Sequence, residues 1–312
     1  MSSQANVEKV IIIGSGPAGY TAAVYSSRAL LKPLMFEGEE AGGQLMITSD
    51  VENYPGFHEG VTGPTLMEEM RKQAEKFGTR FIRKNVTKVD LSSRPFKVWE
   101  GANLYLAQTV IVSTGASAKY LGLPTEKSFY NKGVSACATC DGAFFKNMEV
   151  AVIGGGDTAM EEANFLTRFA SKVHIVHRRD SFRASKVMAQ RALNNPKISV
   201  IWNAEVLEVK GDQFVTGLKI RNVETKKESD LAVQGMFLAI GHKPNTDIFK
   251  GQLDVNETGY IITKAHSTYT SIDGVFAAGD VQDHVYRQAI TAAGTGCMAA
   301  IDAERWLENI GL

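Results

Sequence analysis

The feature that most limits what this chain can fold into is a supersecondary unit that occurs twice. A β-branched run, Val10–Ile13, leads into Gly14-Ser15-Gly16-Pro17-Ala18-Gly19. A stretch of helical spacing follows from about Ala18 to Leu31, then a second strand, Pro33–Phe36, closed by Glu37. Far downstream, Glu149–Ile153 leads into Gly154-Gly155-Gly156-Asp157-Thr158-Ala159. This copy has its own helix, Met160 to about Phe169, and its own second strand, Lys172–Val176, followed by His177. The same number of residues separates Gly14 from Glu37 and Gly154 from His177. A glycine motif alone is weak evidence, but both copies stand between a strand and a helix, where each glycine has a task. The first makes the turn, the second lets the backbone approach a pyrophosphate, and the third lets helix and strand pack closely. The expected nucleotide contacts are Gly14, Ser15, Gly16, Pro17, Ala18 and Gly19 in the first copy, and Gly154, Gly156, Asp157 and Thr158 in the second.

Each copy is followed by an apolar strand ending in glycine, Thr109–Gly115 and Met236–Gly241. The tail adds another strand, Gly274–Asp280, and a helix from about Tyr286 to Leu307. The fold class read from this is α/β, with two Rossmann-like three-layer nucleotide-binding domains, the second inserted into the first. The first domain takes residues 1–117 and 246–312 and the second takes 118–245, with Pro124 and Pro244 near the crossings. A length of 312 residues suits two domains. The 34 basic and 34 acidic residues cancel, which gives no reason to expect nucleic acid or an anionic membrane as partner. No run approaches the roughly 18 apolar residues of a spanning helix. The polar opening MSSQANVEK shows no export signal, so the cytoplasm is the expected compartment.

The two copies differ where charge matters. Glu37 ends the first, and a carboxylate there accepts hydrogen bonds from both ribose hydroxyls while repelling a 2′-phosphate, which suits FAD or NAD. The second copy has no acid at the matching place. It reads His177-Arg178-Arg179 with Arg183 close behind, and guanidinium forks match a phosphate dianion, which suits NADPH. A solvated basic patch is the plain alternative, and the shared register with Glu37 favours the phosphate site. One FAD and one NADPH in a chain define hydride-to-flavin chemistry. In the tail, Asp280 beside Gly279 is placed to hold ribityl hydroxyls, or else is an ordinary cap. The helix starting near Arg287-Gln288-Ala289 aims its positive end at a flavin.

Cys137-Ala138-Thr139-Cys140 is a C-x-x-C followed at once by Asp141. That spacing closes a disulfide across one turn and lowers the leading thiol's pKa. Zinc would need two more ligands at suitable spacing, and none is present, so no metal is expected. Inert cysteines remain the other alternative. Asp141 is the candidate acid for protonating a leaving thiolate or the flavin. Cys297 reads as a small buried hydrophobe, and none of the six histidines has a partner pattern suggesting a triad or a metal site.

Taken together, GSGPAG at 14–19, GGQLM at 42–46, NYPG at 53–56, CATCD at 137–141, GGGDTA at 154–159, HRRDSFRA at 177–184 and the segment 277–300 closely resemble the small, bacterial-type thioredoxin reductases. The resemblance spans essentially the whole chain. It implies a homodimeric FAD enzyme that reduces thioredoxin with NADPH. It further implies FAD contacts from Glu37 through Gln44, including Gly42 and Gly43, with Asn53 and Gly115, and from Asp280 through Ile290. Arg178, Arg179 and Arg183 would clamp the NADPH phosphate. Cys140 would face the flavin, Cys137 would attack thioredoxin, and Asp141 would donate the proton. The pattern departs at Ala143-Phe144-Phe145, where an aromatic pair is displaced by one residue, leaving the thioredoxin-docking surface open. A disulfide reductase for a peroxidase partner would share every other feature. A ferredoxin or flavodoxin reductase would lack the C-x-x-C, and a flavin-binding redox sensor would not need the arginines.

Overall fold

The computed structural model of the chain describes residues 7–48 and 50–312. The opening segment 1–6, which bears on the expected lack of an export signal, and Ser49 lie outside the described residues. In chain order the elements begin with β1 (Val7–Ile13), α1 (Pro17–Arg28), β2 (Leu34–Phe36), α2 (Gly63–Lys76) and β3 (Arg80–Ile82). Next come β4 (Lys88–Asp90), β5 (Phe96–Glu100), β6 (Asn103–Val112), β7 (Ala116–Ala118) and β8 (Val134–Ser135). The middle of the chain forms α3 (Ala138–Asp141), β9 (Glu149–Ile153), α4 (Asp157–Leu166), β10 (Lys172–Val176), α5 (Lys186–Leu193) and β11 (Ile198–Ile201). Three antiparallel strands follow, β12 (Ala204–Gly211), β13 (Val215–Asn222) and β14 (Glu228–Leu231), then β15 (Gly235–Leu238), β16 (His242–Pro244), β17 (Val275–Ala277) and α6 (Ala289–Asn309). Two compact units result, Met1–Ser117 with Lys243–Leu312, and Ala118–His242.

In the first unit a parallel sheet runs β3-β2-β1-β6, and both β17 and the antiparallel β5–β4 pair bond to β6. β1 is the central strand, with Ile11 opposite Leu34 on one side and Val110 on the other. Its run Val10–Ile13 is continuously buried, as a strand covered on both faces must be. One face packs under α1, α2 and α6 through Tyr20, Leu66, Ala299 and Trp306. The opposite face packs against Val89, Phe96, Phe249 and Ile261. The second unit repeats the plan with a parallel sheet β11-β10-β9-β15-β8. There α4 supplies Met160, Ala163 and Leu166 to one face. The β12–β14 sheet supplies Val206, Leu218 and Ile220 to the other. Each unit is therefore a three-layer α/β body. Among the described residues no helix is long and apolar enough to cross a membrane.

Several boundaries differ from the sequence reading. α1 stops at Arg28, because Leu30 takes a left-handed conformation (φ 59°) that turns the chain toward β2; Leu31 is buried beyond that turn. α4 begins at Asp157 and ends at Leu166, so it sits three residues earlier than expected. β6 ends at Val112 and leaves Gly115 outside it, and β15 ends at Leu238, before Gly241. β17 ends at Ala277, so Gly279 and Asp280 lie in a short 3-10 turn rather than at a strand end. α6 starts at Ala289, not Tyr286. The Asp283 carboxylate holds the amides of Val285, Tyr286 and Arg287 in a turn, and Gln288 and Thr291 form a capping box.

The packing of α6 on α1 depends on missing side chains. A Cβ on Gly296 would lie 2.1 Å from the Ala18 carbonyl oxygen, whereas Gly294 has no atom within 4 Å of that position. Gly296→Val should therefore destabilise the protein by about 1–3 kcal/mol through overpacking, or by more if α6 detaches. Gly294→Ala, a helix substitution in open space, should stabilise it by about 0.5–1 kcal/mol. Thermal unfolding of the two variants side by side checks both signs.

Candidate active site

In the first unit the glycine loop has the division of labour its sequence suggests. Gly14 has φ 109°, and a Cβ there would meet the Ser113 carbonyl oxygen at 2.2 Å. Gly19 would put a Cβ 2.0 Å from the Gly14 oxygen. Gly16 has nothing within 4 Å of a Cβ position, so its backbone faces open space at the start of α1, where amide donors and the helix dipole favour an anion. Ser15 stitches the neighbouring segments onto this loop: its hydroxyl donates to the Glu37 carbonyl at 2.6 Å and accepts from the Gly42 amide at 2.9 Å. A Cβ on Gly43 would come within 3.5 Å of the Gly16 Cα, so this loop crosses the opening. Gln44 donates to the Ala116 carbonyl (3.2 Å), and Asn53 donates to Gln288 (3.3 Å). Gly279 packs on Ala18 near the start of α1, and Gly115 accepts from the Asn245 amide. Of the segments implied by resemblance, Glu37, Gly42, Gly43 and Gly279 meet this loop or the start of its helix.

Two carboxylates stand out here, Glu37 buried and Asp280 half-buried. Glu37 is 4% exposed, and its Oε1 accepts from the Tyr20 hydroxyl (2.9 Å) and from Arg71 Nε (2.8 Å). Asp280 carries a carboxyl pushed up to about 6, chiefly by burial and secondarily by Asp283, with Arg287 opposing. Tyr20 and Arg71 were not legible in the sequence. Arg71 sits on α2, 34 residues from Glu37, and the only signal was that a carboxylate closing a buried strand needs a partner.

The second unit repeats the cradle. A Cβ on Gly154 would lie 2.5 Å from the Ala239 carbonyl oxygen, while Gly156 again faces open space before α4, and Thr158 is half-buried on that helix's first turn. Arg178, Arg179 and Arg183 are exposed on the loop after β10. That loop is tied down at both ends. The Arg183 and Ala184 amides donate to the Gly155 carbonyl (2.8 and 3.1 Å), Asn203 donates to Arg179, and Asp157 accepts from the Ser185 amide. His177, grouped with the arginines in the sequence reading, has a buried ring beneath the loop. A Cβ on Gly155 would strike the ring at 2.2 Å, Nε2 lies 3.1 Å from the Ser181 carbonyl, and Phe182 and Trp202 flank it. Its pKa is pushed down, first by burial and then by Arg179, Arg183 and Arg178, which the Ser181 carbonyl opposes.

Cys137 and Cys140 form a disulfide with Cα atoms 5.4 Å apart. Cys137 is the residue before α3. Its amide donates to the Ser135 hydroxyl (3.0 Å), Thr139 Oγ1 lies 3.4 Å from its sulfur, and its carbonyl accepts from the Asp141 amide. The Asp141 carboxyl is pushed up by burial, with a Ser135 hydrogen bond opposing. A raised carboxyl pKa is the direction in which a general acid must be shifted. Ser135 was missed from sequence because nothing in a V-S-A context marks a hydroxyl as functional. The aromatic pair also resolves: Phe144 is exposed, whereas Phe145 packs on Phe237 in the core.

Two readings need correction. Cys297 is half-buried rather than buried, with the Tyr25 hydroxyl hydrogen-bonded to it. His174 has two side-chain partners: it lies 2.9 Å from Glu149 and 2.8 Å from Ser199, joining three adjacent strands in a string the sequence spacing could not show. Among the described residues no group of three or more His, Cys, Asp or Glu side chains could hold a metal.

The profile of the pyridine nucleotide-disulphide oxidoreductases matches residues 8–296. Over 97% of its length the chain is 60% identical to the thioredoxin reductase of Streptomyces coelicolor, covering 94% of that protein. The chain belongs to the thioredoxin reductase family. A thioredoxin reductase of Arabidopsis thaliana is 58% identical over 97% of the chain and 83% of its own length. Among solved structures, the thioredoxin reductase of Streptococcus pyogenes superposes with a TM-score of 0.93 at 42% identity, covering 98% of this chain and all of that one. That of Giardia duodenalis gives 0.92 at 47%, covering 96% and 98%.

For this thioredoxin reductase family member, Asp280 supplies a pH test. Its folded pKa, about 6, stands above the ordinary 3.8, so between those values the folded state binds the proton more strongly than the unfolded state. Its contribution is favourable at low pH and is lost as pH rises through 6. In the flavin-free chain, Asp280→Asn should raise Tm by several degrees at pH 8 and leave it nearly unchanged at pH 4. Calorimetry across that range checks this, and a Tm difference that stays flat would mean that the carboxyl is not desolvated in the folded chain.

Proposed function

We propose that the chain reduces the disulfide of thioredoxin with electrons from NADPH, using FAD held by the first unit and the Cys137–Cys140 pair of the second. The observation that carries this reading is an oxidised C-x-x-C beside a half-buried carboxyl, in the same unit as an arginine-flanked glycine cradle. The open space at Gly16 and Gly156, which any side chain would narrow, fits two dinucleotides. FAD, when bound, supplies a two-electron relay between a hydride donor and a disulfide.

The chain's own residues do the rest. Gly14 through Gly19 and the start of α1 hold a pyrophosphate, Glu37 takes ribose hydroxyls, and Gly42, Gly43, Gln44, Asn53, Gly115, Gly279, Asp280, Arg287, Gln288 and Ala289 complete that site. Gly154, Gly156, Asp157 and Thr158 hold the NADPH pyrophosphate, and Arg178, Arg179 and Arg183 hold its 2′-phosphate over the buried His177. Reduction of the Cys137–Cys140 bond takes two electrons and two protons. The Cys137 thiolate then attacks the thioredoxin disulfide, forming a mixed disulfide and releasing one thioredoxin thiolate, which takes a proton from Asp141. Cys140 attacks Cys137, re-forming the pair and releasing the second thiolate, which is protonated in turn. Exposed Phe144, close in sequence to the pair, is available to a docking protein. The exposed apolar side chains Val285, Tyr286 and Ile290 support association of two copies as a homodimer. A reductase for a peroxidase partner would use the same residues and differ only in the disulfide that reaches Cys137.

Removing Arg178 or Arg179 takes away charge-assisted hydrogen bonds of about 1.5–3 kcal/mol each, so each alanine variant should weaken NADPH at least about tenfold. NADH should be little affected, and an unchanged ratio of kcat/KM for the two nucleotides would refute the phosphate assignment. Cys137→Ser should still let NADPH bleach the flavin while thioredoxin reduction is abolished. Steady-state turnover with thioredoxin in that variant would show that electrons leave by another route.

A further inference from the structure

Glu37 is set up more rigidly than a ribose acid needs to be. Its side chain is 2% exposed, and two donors converge on one oxygen, the Tyr20 hydroxyl at 2.9 Å and Arg71 Nε at 2.8 Å. The other oxygen has only the terminal nitrogen of Arg71, at 3.5 Å, among the described residues. Arg71 is itself fixed. Its guanidinium lies over the Phe81 ring at 4.3 Å and reaches Glu75 one turn along α2 at 3.5 Å, and Phe81 meets Tyr20 edge-on. A carboxylate this far from water is costly unless its charge is matched and its oxygens are satisfied. A planar donor fork meeting one oxygen closely also fixes which way the other points.

We propose that Arg71 is a positioning residue of the first dinucleotide site, holding Glu37 so that Oε2 is kept for the hydroxyls of the adenosine ribose. The proposal rests on the assignment of that site to FAD with Glu37 as its ribose acid. Arg71 touches no reacting atom. Its contribution is the orientation and charge of the carboxylate. A lysine carries the charge but not the fork, so it restores the site only in part. The role is also distinct from propping up α2, because a mere prop would affect all adenine dinucleotides alike.

The test uses the full-length chain equilibrated with an equimolar mixture of FAD and its analogue lacking the adenosine 2′-hydroxyl, with the bound flavins separated and quantified. The native chain should retain FAD over the analogue by roughly tenfold, the value of one hydrogen bond to a charged acceptor. Glu37→Gln should bring that ratio close to one. Arg71→Met should do the same, Arg71→Lys should give an intermediate ratio, and adding Arg71→Met to Glu37→Gln should change nothing further. If Glu37→Gln collapses the ratio while both Arg71 variants keep the native value, the role of Arg71 is overturned and the ribose assignment stands. If Glu37→Gln itself keeps the native ratio, the ribose assignment fails, and the proposal fails with it. The ratio is read only on folded, flavin-bearing protein, so loss of yield in Arg71→Met leaves the lysine variant to decide.

Discussion

Close approach of backbone to backbone, permitted only where side chains are missing, is the constraint on which the rest of this structure depends. In the first unit α1 is held between a strand turn and α6, with Gly19 against Gly14 on one side and Gly296 against Ala18 on the other. These contacts fix where the first amides of α1 point, and Gly16 is left facing open space as a result. The second unit obtains its cradle from the contact of Gly154 with the Ala239 backbone. A cavity formed in this way has walls of main chain, which cannot change rotamer. Its shape is therefore stiffer than that of a pocket lined by side chains.

Charge distinguishes the two cradles, and the two units handle it by opposite routes. The first buries a carboxylate and neutralises it within the protein through Arg71. The second leaves three guanidiniums exposed and buries an imidazole beneath them whose pKa is driven down. A neutral His177 adds no repulsion of its own to that cluster, and its ring fills the space under Gly155. Burying the neutral group and exposing the charged ones is the low-cost arrangement.

The duplicated unit was legible because short-range chemistry carries it. Glu149–Ile153 and Lys172–Val176 are strands with the bounds read from the sequence, since each is a short, β-branched-rich run that opens on a charged residue. Ends set by a single backbone conformation were less legible. Nothing in the composition of Leu30 announces a left-handed turn, so α1 was drawn too long. The partners of the site residues were the least legible. Glu37 finds Arg71 across 34 residues and two elements, and His174 finds Glu149 and Ser199 on neighbouring strands. His177 was grouped with its arginine neighbours because sequence adjacency suggested a common task. The register of β10 instead turns the imidazole inward while the guanidiniums stay outside.

The aromatic packing under the arginine loop has an optical consequence. The chain has three tryptophans, and Trp99 and Trp306 both belong to the first unit, so Trp202 alone represents the second. Its indole packs on Phe182 at 4.4 Å between ring centres and meets the His177 ring edge-on. An indole emits in the band where a reduced nicotinamide nucleotide, the ligand proposed above for this loop, absorbs. With Trp99 and Trp306 replaced by phenylalanine, the chain would carry its own energy-transfer donor, and occupancy of one unit could be followed without any added label.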